Sequence, residues 1–236
     1  MTETFLHGRL ALVTGASRGI GAATAEALAA AGAHVVLTAR TTDDLEEIED
    51  RIHSAGGSAT IAPLDLTESD SIARLAAAVG ERWPALDILV LNAAMLGSLT
   101  PVAQIEGKEF NRVLTLNVLA NQALIAAFDP LLRKSEAGRL LAVTSSVGRS
   151  PRAYWGAYGA SKAALETLVL SYAEEARNLA PVKVAIVDPG ATATTMRARA
   201  FPGEDPATIK PPAAVAQAIV ELLRRDFESV ERMKVR

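Results

Sequence analysis

A doubly wound α/β fold is predicted, with one parallel sheet flanked by helices on both faces. Three observations carry it. Short β-branched runs alternate along the chain with longer Ala- and Leu-rich, charge-bearing stretches. The first run leads straight into a glycine-rich turn that opens a helix. Stretches such as residues 86–90 are apolar on both faces, as buried parallel strands are.

Taken in order, the strands are expected at residues 10–13, 34–38, 58–64, 87–92, 139–144 and 182–187, with a brief edge strand in 228–235. Between them, helical periodicity marks 20–31, where Ile20, Ala23, Ala27, Leu28 and Ala31 share a face, and then 43–54, 69–82, 106–128, 158–178 and 213–225. Helices of crossover length between strands imply right-handed parallel connections. No linker, repeat or low-complexity tract interrupts the series, so residues 1–236 read as a single domain. Helices 106–128 and 158–178 are apolar around most of their circumference, which points to burial in the fold or at an interface.

Composition excludes several classes. Half of the 236 residues are apolar and the net charge is −3, so the basic field of a nucleic-acid binder is missing. With no cysteine there are no disulfides, thiolate metal sites or cysteine nucleophiles. The N-terminus carries Glu3 and no long apolar stretch, unlike a signal peptide. The apolar runs look strand-length, too short to span a bilayer. A soluble cytoplasmic protein without membrane or nucleic-acid partners is expected. His7, His34 and His53 lack metal-ligand spacing, and no metal site is expected. The acidic run at 43–50 reads as a solvated helix face, and Trp83 as packing.

The turn is Thr14-Gly15-Ala16-Ser17-Arg18-Gly19-Ile20-Gly21. Glycines let the backbone bend sharply and approach a phosphate with no Cβ in the way. The helix start then offers free N–H groups and the positive end of its dipole to a pyrophosphate. A second constellation lies downstream. Tyr158 and Lys162 stand four apart at a helix start, so both project from one face. A phenol ordinarily titrates at about 10, and a nearby ammonium is expected to lower that value and suit it to proton exchange.

The T-G-x-x-x-G-x-G spacing resembles the short-chain dehydrogenase/reductase family in its compact single-domain branch, and a bacterial oxidoreductase subgroup of unsettled substrate within it. The resemblance runs from Arg9 to about Leu223, with the family's markers in order: the glycine turn, Asp65, Asn92-Ala93-Ala94, Asn117, Ser145, Tyr158-x-x-x-Lys162 and Pro189-Gly190. Ala94 departs from the glycine usual there. The resemblance implies a Rossmann-type doubly wound parallel β-sheet and hydride transfer between a nicotinamide and a carbonyl or secondary alcohol. Tyr158 would be the acid/base and Ser145 would hold the substrate oxygen. Lys162 would bind the nicotinamide ribose, and Asn117 would hold a water that touches the lysine. Ser146 is a rival for Ser145. Tyr154 is a weaker rival for Tyr158, since no lysine follows it at the same spacing.

The cofactor set implied is Gly15, Ser17, Arg18, Gly19, Ile20 and Gly21 at the turn, Arg40, Asp65 and Leu66 around the adenosine, and Asn92, Ala93, Tyr158, Lys162, Pro189, Gly190, Thr192 and Thr194 toward the nicotinamide. NADP(H) is favoured over NAD(H), because Ala39 stands where an acid would meet a ribose and Arg40 follows it, with Arg18 nearby. Tyr154, Trp155, Met95, Leu96, Met196 and Phe201 are candidates for an apolar substrate pocket, and Arg149, Arg152, Arg197 and Arg199 for recognition of an anionic group. The segment after Pro189-Gly190 carries Pro202 and Gly203 and is expected to be a lid loop. Under the resemblance, the two apolar helices pair across a two-fold axis in a homodimer or homotetramer. The alternatives are a non-catalytic NADP-binding sensor on the same scaffold, and a sugar epimerase or dehydratase, which would need a larger C-terminal part.

Overall fold

The structure, a computed structural model, describes residues 4–225 and 227–236. The reading of Glu3 therefore lies outside the described residues. Among the described residues seven strands form one sheet: β1 (Leu10–Thr14), β2 (His34–Thr38), β3 (Ser58–Ile61), β4 (Ile88–Leu91), β5 (Arg139–Val143), β6 (Lys183–Asp188) and β7 (Val230–Lys234). All pairings are parallel, in the order β3-β2-β1-β4-β5-β6-β7. The helices are α1 (Gly19–Ala30), α2 (Thr42–Ser54), α3 (Ser71–Arg82), α4 (Gly107–Leu114), α5 (Ala120–Lys134), α6 (Gly156–Ala176), α7 (Thr195–Ala200) and α8 (Pro212–Arg224).

The two-residue alternation of the strands builds a core on each face. Leu10, Leu12, Leu89 and Leu91 meet Leu75 of α3, Phe128 of α5 and Leu165 of α6 on one side. Ala11, Val13, Ile88 and Val90 meet Leu28 of α1, Ile48 of α2 and Ile219 of α8 on the other. Each fully buried aliphatic side chain stabilises the fold by roughly 1.5–3 kcal/mol of transfer free energy. The strand order reverses between β1 and β4, and a crevice at the carboxyl ends of strands is the usual binding place in such sheets.

Several boundaries differ from expectation. Strand β3 stops at Ile61, because Pro63 has no N–H to offer a ladder; Ala62 and Leu64 still donate to Leu37 and Ala39 at 2.8 and 2.9 Å. The stretch expected to be mobile after Pro189-Gly190 contains α7, whose start is capped by the Thr194 hydroxyl accepting from Arg197 N at 3.1 Å. The helix expected to end at Phe128 runs on, and α4, a π turn at Thr115–Leu119 and α5 form a continuous helix over Gly107–Lys134. Among the described residues this one helix is long and apolar enough to cross a membrane by length and composition, which corrects the expectation of strand-length apolar runs only. Its buried residues Leu124, Phe128 and Leu132 lie against the sheet.

Candidate active site

Strand β1 delivers the chain into Gly15 (φ +64°) and Gly19 (φ +59°), both in the left-handed region. A Cβ on Gly21 would collide with the Gly15 carbonyl oxygen and lie 2.5 Å from the Asn92 amide nitrogen. That amide braces the turn, donating to the carbonyls of Thr14 at 2.8 Å and Gly15 at 3.2 Å. The Thr14 hydroxyl in turn accepts from Asn92 N and Ala93 N at 2.9 and 3.0 Å. Asn92 and Ala93, expected beside a nicotinamide, are thus also structural braces of the glycine turn. Helix α1 begins without a side-chain cap or an acid in its first turn, so its N–H groups and dipole remain free for an anion.

Just past the carboxyl end of β2, Ala39 is half-buried and Arg40 is exposed, as is Arg18 in the glycine turn. Asp65 accepts from the Thr67 hydroxyl at 2.7 Å and the Thr67 N–H at 2.8 Å. These bonds, with the Arg40 charge, hold its carboxyl below the usual range against an opposing contribution from burial. One carboxylate oxygen is therefore engaged in a local turn. Leu66 beside it is buried.

Ser145 follows β5 and caps a 3-10 turn, Ser146–Gly148, accepting from Val147 N at 3.5 Å. Two glycines let this turn approach α6. A Cβ on Gly148 would stand 3.0 Å from Ala163 N, and one on Gly159 would stand 3.0 Å from the Val147 carbonyl. The approach brings Ser145 toward the helix that carries Tyr158 and Lys162. The Lys162 ammonium lies 5.7 Å from the Tyr158 ring centre and donates to the Val143 carbonyl at 2.8 Å.

Asn117 sits in the π turn, fully buried. Its side chain accepts from Met95 N at 2.8 Å and donates to Met95 O and the Ser161 hydroxyl, both at 2.9 Å. Ser161 then donates to the Tyr158 carbonyl at 2.7 Å. The Asn117 side chain therefore joins the loop after β4 to the first turn of α6, and its own carbonyl accepts from Asn121 at 2.9 Å. Single π turns inside helices recur at functional sites.

The chain's own groups do not lower the Tyr158 phenol. Burial pushes the Tyr158 phenol upward, and the nearby Asp188 carboxylate pushes it the same way. Lys162, only 2% exposed, is itself pulled down to about 8 by burial. Within the chain alone, loss of solvent is the larger cause of the phenol's rise. Asp188, at the end of β6, is 2% exposed; one oxygen accepts from Gly190 N at 3.0 Å and the other is buried without a partner. Ser161, Asn121 and Asp188 were missed from sequence. Of these only Asp188, next to Pro189-Gly190 at a strand end, left a positional signal.

Beyond Gly190 (φ +63°), the Thr192 hydroxyl donates to the Pro189 carbonyl at 3.2 Å, and Lys210 donates to the Ala191 carbonyl at 3.0 Å. The Thr194 methyl lies 3.4 Å from where a Cβ on Gly19 would stand, so this loop closes on the glycine turn. Tyr158 packs in a small apolar cluster with Leu96 and Val147, walled by Leu99, Trp155, Met196 and Ala200. Trp155 is edge-on to Tyr158 at 6.0 Å and 5.8 Å from Phe201. Tyr154 stays outside, 58% exposed at φ +73°. Met95 contributes backbone bonds to Asn117. Among the described residues no group of three or more His, Asp or Glu could hold a metal ion.

Known proteins resemble this chain in sequence and fold. Residues 9–205 match the family model described as short chain dehydrogenase. The chain is 37% identical over 227 residues to the uncharacterized oxidoreductase YciK of Escherichia coli K12, covering 95% of this chain and 89% of that protein. A short chain dehydrogenase from Salmonella enterica serovar Typhi superposes with a TM-score of 0.94 at 34% identity, over 100% of this chain and 99% of that one. An E. coli CFT073 chain solved with NADPH gives 0.93 at 35% identity, over 100% of both. With the glycine turn, the Ser145 turn and the Tyr158–Lys162 helix already assembled at one end of a parallel sheet, these likenesses make the chain a member of the short chain dehydrogenase family of oxidoreductases.

Proposed function

We propose that residues 1–236 form a single NADP(H)-dependent oxidoreductase domain that interconverts a carbonyl and a secondary alcohol. The observation that carries this is the Lys162 ammonium held beside the Tyr158 ring and bonded to the Val143 carbonyl, on the helix against which the Ser145 turn packs. The cofactor fits the residues present. A Cβ would fill the cradle at Gly15 and Gly21, α1 opens uncapped, and no acid stands at Ala39 to repel a ribose phosphate. Arg18 and Arg40 would hold that phosphate, with Asp65 and Leu66 near the adenine, as the NADPH-bound E. coli relative supports. Gly190, Thr192 and Thr194 would line the carboxamide side.

When bound, the nicotinamide supplies or takes up the hydride. The chain's own groups handle the proton and the charge. Tyr158, whose phenol is held protonated by burial, donates its proton to a carbonyl oxygen in reduction. Ser145 donates a hydrogen bond to the same oxygen as charge develops on it. Lys162 binds the ribose and returns a proton to Tyr158, with Asn117 supporting the relay. Trp155, Met196 and Phe201 enclose the substrate. The protein acts in the cytoplasm as a homodimer or homotetramer paired through the 107–134 helix and α6.

NADPH consumption against ketones, aldehydes and 3-oxoacyl thioesters tests this, with NADH and Tyr158→Phe alongside. Turnover with NADPH that the variant loses, while it still binds cofactor, is expected. Tight NADPH binding with no carbonyl reduced by the wild type would overturn it in favour of a sensor.

A further inference from the structure

We infer that the substrate is an uncharged carbonyl compound with an apolar, aryl-sized body, and that Glu204 determines this by withdrawing Arg197 from recognition of anions. The inference rests on the proposed carbonyl chemistry at Tyr158. Beside Lys162 of its own helix, apolar side chains wall that phenol: Leu96, Val147, Trp155 and Met196. From Tyr158 an aromatic row extends outward through Trp155 to Phe201, at ring separations of 6.0 and 5.8 Å. Flat apolar groups stack favourably on such a wall.

The row ends in a cation whose charge is already matched. The Arg197 guanidinium lies 3.6 Å over the Phe201 ring and donates twice to Glu204, at 2.6 Å from Nε and 2.5 Å from Nη2. Both side chains are three-quarters sheltered, and the pairing holds the Glu204 carboxyl below its usual range. A bidentate fork of this kind leaves little guanidinium field for a third group. Arg149 faces the buried Glu166 at 3.6 Å, and Arg152 and Arg199 are exposed outside the apolar cluster.

The test reads binding and turnover separately. Trp83 and Trp155 are the chain's two tryptophans, so Trp155 fluorescence in a Trp83→Phe background reports binding at the wall. Acetophenone and 4-acetylbenzoate are titrated, and each is assayed with NADPH. The neutral ketone is expected to bind at least about tenfold more tightly, and Glu204→Gln is expected to shift that ratio about tenfold toward the carboxylate by freeing Arg197. Equal or tighter binding of 4-acetylbenzoate by the wild type, binding of neither compound, or a ratio unmoved in Glu204→Gln overturns the inference. Selective binding of the neutral ketone without its reduction overturns the reductase function, while the preference of this wall for uncharged aryl groups set by Glu204 stands.

Discussion

The Lys162 ammonium donates to the Val143 carbonyl at 2.8 Å, so the last residue of β5 anchors the cation of α6 inside the protein. Burial there lowers the lysine to about 8. Because the folded value lies below the unfolded one, the unfolded chain binds the extra proton between about pH 8 and 10.5, and stability from this group rises across that window. Wild type should therefore gain stability relative to Lys162→Met as pH rises from 8 toward 10.5, by on the order of 3 kcal/mol over the full window. Denaturant unfolding of both proteins at several pH values checks this. A constant difference would show that the lysine does not titrate there.

Asp188 faces the same side of the sheet as Val184 and Ile186, which is the side of α6, and its carboxylate raises the Tyr158 phenol. Asp188→Asn should bring that phenol down. Alcohol oxidation, which needs the phenolate, should then begin its rise at lower pH. The pH profiles of kcat/KM in the oxidative direction measure it, and superimposable profiles would remove Asp188 from the electrostatics of the site.

Asn121 donates to the carbonyls of Asn117 at 2.9 Å and Leu116 at 3.4 Å, two groups in the π turn. Threonine at this position can bond the i−4 carbonyl, whereas valine of the same shape cannot. Asn121→Val should lose about 1–3 kcal/mol of stability and about tenfold in kcat, while Asn121→Thr stays within about threefold of wild type. Equal kcat in the two variants would mean the donor is immaterial to the turn.

Gly21 has no room for a methyl group, since a Cβ would meet the Gly15 carbonyl and the Asn92 amide. Gly21→Ala should weaken NADPH binding by more than about tenfold, because the cradle must open to admit the methyl. Calorimetric titration reads this directly. Unchanged affinity would place the phosphate elsewhere.

The strands, the glycine turn and the placing of Tyr158 and Lys162 at one helix start were legible because each is a local pattern. Residues 10–14 and 34–38 alternate or run apolar in a way only a buried strand explains, and the glycine spacing at 15, 19 and 21 reflects steric demands within one turn. The start of α6 was legible to within two residues for the same reason. Helix α7 was less so, because Pro202 and Gly203 argued for a loop while its cap, Thr194, was an ordinary threonine among others.

What the sequence by itself determined, then, is a fold class, an ordered set of motifs and the residue types able to carry proton transfer. Tertiary structure alone decided how those residues behave. That Tyr158 is raised rather than lowered depends on burial by residues as distant as Leu96 and Met196 and on a charge thirty positions away at Asp188. That Arg197 serves Glu204, that Asn117 grips Met95 and Ser161, and that Asn121 holds the π turn are matters of which partner each polar group reaches first. Desolvation and hydrogen-bond competition arise only once distant segments pack together, and no local pattern in a chain records them.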